Sequence, residues 1–218
     1  MPSIETKTQI DSLSVQANRP LVICDVDEVI VHFIKGLEAF LDRHDLWLDP
    51  VSFALNGNIK TVTDNKPVET EEVGLLLTSF FQQDTRILQP IEGSIDALQS
   101  LADDAEIVFL SNVPHEAFDD RCANLKGHGL DFPLITNRGP KGPAVRRLTT
   151  DHQAPVFFID DIGHYLTSVY DHCPDIHLIH FTQDERFSRH AKNLDHAHYR
   201  TDNWPDVETH IRDKLTEF

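Results

Sequence analysis

Short apolar runs alternate with stretches of helical spacing through most of this chain. Pro20 precedes LVICDV, which reads as a buried strand ending at Asp25 to Asp27. EIVFLS, FPLIT, PVFFID and IHLIHF read as four further strands. Between them lie SIDALQSLA with Ser94 as candidate N-cap, a helical stretch from about Pro114 to Leu125, GPAVRRLTT opening near Lys141, and HYLTSVYDH. The closing WPDVETHIRDKL sets Trp204, Val207, Ile211 and Leu215 at helical spacing, with Trp204 as a core anchor. Short apolar strands separated by helices predict an α/β, Rossmann-like, mostly parallel sheet with helices on both faces. In such sheets ligands gather at the carboxyl ends of the strands, so the polar residues closing each run carry the candidate chemistry.

The stretch from about Val31 to Leu88 is too long for a simple crossover. FIKGLEAFLDRH and EEVGLLLTSFF read as helices flanking a polar stretch around Asn56 to Lys66. The pattern therefore divides into a polar, mobile lead-in (1–18), a core (19–30 and 89–218) and a small inserted helical cap (31–88). A surface excursion that never touches substrate is the alternative for the insertion. Asn56, Asn58 and Lys60 are the cap residues taken as candidates for substrate contact.

At 218 residues the chain can bury its own core. No apolar run approaches a membrane span, and the N-terminus lacks a secretory apolar stretch. Cys24, Cys122 and Cys173 are too few for a disulfide framework and fit a reducing cytoplasm, where the protein is expected to reside. Acidic residues outnumber basic ones 36 to 19, a formal charge of -17. That field opposes nucleic acid and anionic membranes. It also opposes a phosphorylated metabolite, unless a metal or a local basic cluster sits where that metabolite binds. Oligomeric state is not readable from the sequence.

The strand ends supply candidates. Asp25 and Asp27 are two apart, so both carboxylates can reach one side. One can stay ionised while like-charge repulsion helps keep the other protonated. Ser111-Asn112 offers a hydroxyl and backbone N–H groups to a phosphate oxygen; read alone, Ser111 equally caps the following helix. Lys141 at a helix N-terminus opposes the macrodipole, a placement that suits an anion lying between; alone it is also an ordinary loop lysine, as is Arg138 nearby. Asp160-Asp161 closes the run VFFI, where two acids are costly without a cation. With Asp25 and Asp27 they make an oxygen-rich set suited to Mg²⁺. His164 lies just past them, at the expected rim of the site.

Asp-x-Asp, Ser, Lys and Asp-Asp, in that order at four strand ends, resemble the four motifs of the haloacid dehalogenase-like hydrolases, phosphatase branch. The match runs from Leu21 to about Val169, and the insertion falls where that superfamily places its first type of cap. The resemblance implies that Asp25 is the nucleophile, becoming an aspartyl phosphate, and that Asp27 is the acid/base whose carbonyl also meets the metal. It implies that Ser111 and Asn112 hold the phosphoryl group, that Lys141 balances Asp25 and phosphate, and that Asp161, with Asp160, binds Mg²⁺. Glu28 stands where glycine is most common and Val29 where threonine is frequent. DVDEVIVH resembles the Asp-x-Asp-Glu variant of protein phosphatases in the superfamily, which usually lack such a cap, so their substrate is not carried over. The expectation is a phosphomonoester hydrolase acting on a small phosphorylated substrate. A non-catalytic binding protein of the same fold and a phosphotransferase to an alcohol acceptor are the alternatives. Nine of the thirteen histidines follow residue 150. His177 and His180, three apart on a strand, face opposite sides, whereas His196 and His198 could share one.

Overall fold

Leu21, Val22, Ile23 and Cys24 are all fully buried, as a strand covered on both faces requires. The computed structural model describes residues 1–217. In chain order its elements are α1 (Ile4–Ser12), β1 (Leu21–Cys24), α2 (Phe33–Asp42), β2 (Leu46–Leu48), β3 (Ile59–Thr61) and α3 (Thr70–Asp84). Then follow α4 (Ser94–Leu101), β4 (Glu106–Ser111), α5 (Phe118–Gly127), β5 (Leu134–Thr136), α6 (Gly142–Leu148) and β6 (Val156–Asp160). The chain closes with α7 (Gly163–His172), β7 (His177–Phe181), α8 (Glu185–Ser188), β8 (Tyr199–Thr201) and α9 (Trp204–Leu215).

The main sheet has six strands in the order β5-β4-β1-β6-β7-β8, every neighbouring pair parallel. This is the α/β, Rossmann-like architecture that the apolar runs predict. Alternation along β1 builds two cores. Val22 and Cys24 join Phe109, Ile159 and Trp204 on one face, while Leu21 and Ile23 join Val108, Phe158, Val145 and Leu166 on the other. From β1 the chain fills one side through β4 and β5, then returns to fill the other. The carboxyl end of β1, between β4 and β6, is the switch point where a crevice opens.

The insertion leaves and re-enters along paired backbone: His32 N donates to Gln89 O, and Ile91 N donates to Ile30 O. It contains two helices, as expected, but also the antiparallel ribbon β2–β3. Its three-residue strands lie within polar sequence, too short to show alternation. The helices pack through an aromatic cluster in which Phe80 meets Phe33 and Phe40 edge-on at 5.4 and 5.6 Å.

Three local expectations need correction. Residues 1–18 are not a free lead-in, because α1 docks on the edge strand β5. Thr6 Oγ1 donates to Thr136 O (2.8 Å) and Gln9 Oε1 accepts from Thr136 N (2.8 Å), with Ile10 buried beneath. The docking is largely polar and leaves no amphipathic signature. Ser94 does not cap α4. The N-cap is Gly93 at φ 80°, where a side chain would be strained, and the Ser94 hydroxyl donates instead to Ile30 O. The stretch after Pro114 begins as a 3-10 turn (His115–Ala117) and becomes α-helical only at Phe118. Trp204 is fully buried, and its Nε1 donates to Val29 O (2.8 Å), tying α9 to the loop after β1.

Candidate active site

β1, β4 and β6 end side by side, which sets Asp25, Ser111 and Asp160 around one point. α6 brings the fourth group. Gly142 allows its approach, since a Cβ there would lie 2.0 Å from Ser168 O of α7. Lys141, at the N-cap of α6, thus reaches under the sheet end and is completely buried. Its Nζ lies 2.7 Å from Asp160 Oδ2 and 2.7 Å from Asp25 Oδ1. The anions that reconcile a lysine with a helix N-terminus are therefore these two carboxylates. Burial disfavours the ammonium, but Asp160 and Asp25 outweigh it and hold Lys141 above its usual value.

One cation does not neutralise this cluster. Ligand oxygens of Asp25, Asp160 and Asp161 lie within 4.8 Å of one another. Burial, opposed by Lys141 and reinforced by Asp160 and Asp27, raises Asp25 to about 7. Burial and then Asp160, Asp25 and Glu28 push Asp161 well above the carboxylate range. Asp160 is committed structurally: Oδ2 takes Lys141 and Oδ1 accepts from Ile162 N (2.8 Å). Asp161 faces a cavity of about 280 Å³ shared with Asp25, Asp27, Glu28 and Asp184. Among the described residues, no Lys, Arg or His lines this cavity. Crowded hard oxygens without a facing cation fit a divalent ion such as Mg²⁺. Asp25, Asp161 and the Asp27 carbonyl would hold it.

Asp27 has partners that its position in the sequence does not reveal. Fully buried Arg121 of α5 donates from Nη2 to Asp27 Oδ1 (2.5 Å), and Ser111 Oγ donates to Asp27 Oδ2 (3.3 Å). The Ser111 hydroxyl also accepts from Val113 N (3.0 Å), so it both shapes the turn and touches the site. The available sequence signal for Arg121 is helical spacing: Ala117, Arg121, Asn124 and Leu125 are all buried, which puts a base on a core-facing stripe. Arg121→Met is expected to lower stability by about 1–3 kcal/mol, because it strips the partner from a mostly buried carboxylate. An unchanged urea midpoint would show that the pair contributes nothing.

Glu28 explains the absence of glycine. Its φ is 60°, the left-handed region where glycine sits without strain. The side chain offsets this: Oε1 accepts from Ile34 N near the start of α2 (2.6 Å), and Oε2 accepts from Gln183 Nε2 (2.9 Å). Burial still prevails and raises Glu28 to about 7. Asp25, Glu28 and Asp161 therefore hold protons in the fold that the unfolded chain releases in the ordinary carboxylate range. Their contribution to stability is present below that range and is lost as pH rises toward about 7, with Glu28 alone accounting for ~3 kcal/mol. The metal-free protein is expected to melt at a lower temperature at pH 7.5 than at pH 5.5. Mg²⁺ should raise the melting temperature more at the higher pH. A Mg²⁺ shift equal at both values would count against a carboxylate site.

The remaining candidates are dispersed. Asn112 lines the cavity, its amide fixed by Gly139 O (3.0 Å) and Asn137 Nδ2 (2.9 Å). His164 is exposed on an adjoining groove, edge-on to Tyr165, and does not line the main cavity. Asn56, Asn58 and Lys60 do not line it either. Asn58 Nδ2 binds Ser52 Oγ and Ala54 O within its own loop, Lys60 pairs with Asp49 at 2.6 Å, and Asn56 is exposed. The cap instead presents Phe33, Ile34, Phe53, Leu55 and Phe81. Burial keeps His180 below its usual pKa, and its Nε2 donates to Asp161 O (3.0 Å), fixing the backbone of that acid. His177 packs against His198 and His210 on another side, and His196 turns to Thr167 and Tyr170. Among the described residues, Asp25, Asp160 and Asp161 are the one set of three with ligand-like spacing, so the histidines form no such group. No helix among the described residues is long and apolar enough to cross a membrane.

The chain matches no protein-family model and no curated protein sequence. Its backbone is similar to many solved structures. The HAD-hydrolase YfnB from Bacillus subtilis, bound to magnesium, shares 16% identity at TM-score 0.60, over 90% of this chain and 99% of that one. A HAD family hydrolase from Deinococcus radiodurans, with bound phosphate and sodium, shares 15% at TM-score 0.58, over 91% and 97%. An L-2-haloacid dehalogenase shares 12% at TM-score 0.57, over 89% and 100%. The fold is that of the haloacid dehalogenase-like hydrolases. That likeness is one of fold, and it assigns no reaction to this chain.

Proposed function

We propose that this protein is a Mg²⁺-dependent phosphomonoester hydrolase that works through a phosphorylated Asp25. The observation that carries this reading is a cavity lined by five carboxylates and no basic side chain among the described residues, with Lys141 buried behind Asp25. An anionic ester can approach such a wall only with a bound cation, whereas a haloacid carboxylate would need a basic side chain to receive it. Asp27 favours phosphoryl transfer further, since dehalogenation does not use a second aspartate in this way.

Asp25, held by Lys141, attacks phosphorus as the ester P–O bond breaks. Asp27 delivers a proton to the departing oxygen, then takes one from the water that attacks the aspartyl phosphate. Arg121 occupies Oδ1 at 2.5 Å and Ser111 donates to Oδ2 over a longer 3.3 Å, so Oδ2 is the oxygen that would exchange that contact for the proton. In this reading Asn112, at the cavity wall, and the Ser111 hydroxyl, once turned from Asp27, would donate to the phosphoryl oxygens. When bound, Mg²⁺ would shield the two anions from each other and stabilise charge on those oxygens.

Phosphate release from a panel of monoesters, with Mg²⁺ and with excess EDTA, tests the proposal. Metal-dependent release is expected, with a hydroxylamine-labile phosphoryl label on Asp25. Release unaffected by chelation, or none from any ester, would sink it. Diversion of product by added alcohols would point to phosphotransfer instead.

A further inference from the structure

The far part of the cavity is built for something other than phosphate. Phe33, Phe53, Leu55 and Phe81 of the cap line it together with Phe187 of the core. These rings brace one another: Phe53 and Phe187 lie 5.7 Å apart and Phe33 and Phe81 5.9 Å, so the wall is set before any ligand enters. Part of the polar lining is engaged within the protein: Gln183 donates to Glu28, Asp184 binds Arg186, and the Thr182 and Ser188 hydroxyl oxygens accept from Arg200. The charged side chains away from the Asp25–Asp161 centre, Glu28 and Asp184, are both acidic, and no basic side chain among the described residues lines the cavity to receive a carboxylate or a second phosphate. At about 280 Å³ the cavity is at the lower end of ligand pockets, room for a phosphoryl group and one compact substituent.

We infer that the substrate's leaving group is uncharged, apolar and about the size of one aromatic ring, held against the apolar wall that the cap phenylalanines form with Phe187. This rests on the phosphatase reading for its phosphoryl end. It excludes sugar phosphates, bisphosphates and nucleoside diphosphates as preferred substrates.

Benzyl phosphate and glycerol 1-phosphate release alcohols of similar leaving ability, so their kcat/KM ratio reports the pocket and not intrinsic reactivity. A preference for benzyl phosphate of roughly 30-fold or more is expected from burying the ring. 4-Carboxybenzyl phosphate should fall at least ~10-fold below benzyl phosphate. Phe53→Ser should reduce the benzyl preference to a few-fold, and Leu55→Asn should do likewise should the first variant fold poorly. Calorimetric binding of benzylphosphonate against methylphosphonate, with Mg²⁺, gives the same comparison without turnover. Equal or better use of glycerol 1-phosphate would overturn the inference while leaving the phosphatase reading intact. Absence of release from every ester would end the phosphatase reading, and the phosphonates would then decide this one. Tighter binding of the benzyl compound supports it, and equal binding overturns it.

Discussion

Asp25→Asn is expected to reduce phosphate release on the order of 10⁴-fold or more while leaving the protein folded. The amide is nearly isosteric but cannot attack phosphorus. It also removes one charge from a group whose burial and carboxylate neighbours already raise it to about 7. Lys141 keeps Asp160 as partner at 2.7 Å. The metal-free variant should therefore melt no lower than the wild-type protein at pH 7.5, since it relieves repulsion that the parent must tolerate. The combination separates chemistry from stability. Turnover kept within ten-fold of the parent would remove Asp25 as nucleophile, and lost turnover with a collapsed melting temperature would point to a structural role.

Lys141→Met should act in the opposite sense. It leaves Asp25 and Asp160 buried with no cation on either, and removing one partner of a buried pair costs about 3–5 kcal/mol. Asp25 becomes easier to protonate without Lys141, so the loss should be smaller at pH 5.5 than at pH 7.5. Mg²⁺ should restore part of it. Unfolding midpoints at the two pH values, with and without Mg²⁺, check this. A pH-independent loss would mean that methionine disturbed packing between α6 and α7 and not charge. Turnover should fall as well, because Lys141 also steadies Asp25.

The sheet and its strand ends were legible because their signals are local. Five of the six strands are continuous apolar runs, and burial on both faces requires no more than that, whereas the edge strand β8, Tyr199–Thr201, carries no such run and went unread. The polar residues closing those runs fall at the switch point, which marks Asp25, Asp27, Ser111 and Asp160-Asp161, while Lys141 is marked by its place at the start of the helix after β5. Contacts distant in sequence escaped. Arg121 meets Asp27 across 94 positions, and Gln183 meets Glu28 across 155. The polar cap residues Asn56, Asn58 and Lys60 attracted notice for their chemistry, yet the cap turns phenylalanines toward the cavity. Apolar spacing that reads as ordinary helix packing carries no mark distinguishing a ligand wall from a core. The docking of α1 was hidden for a related reason, since it depends on single side chains reaching one strand.

That docking has a consequence for handling the protein. Thr6 and Gln9 together satisfy the outward C=O and N–H of Thr136, the groups that an edge strand would otherwise offer to another chain. Trimming the first dozen residues would do more than remove a helix. It would bare a template on which a second sheet can add, so the shortened chain should self-associate more readily than the 218-residue one.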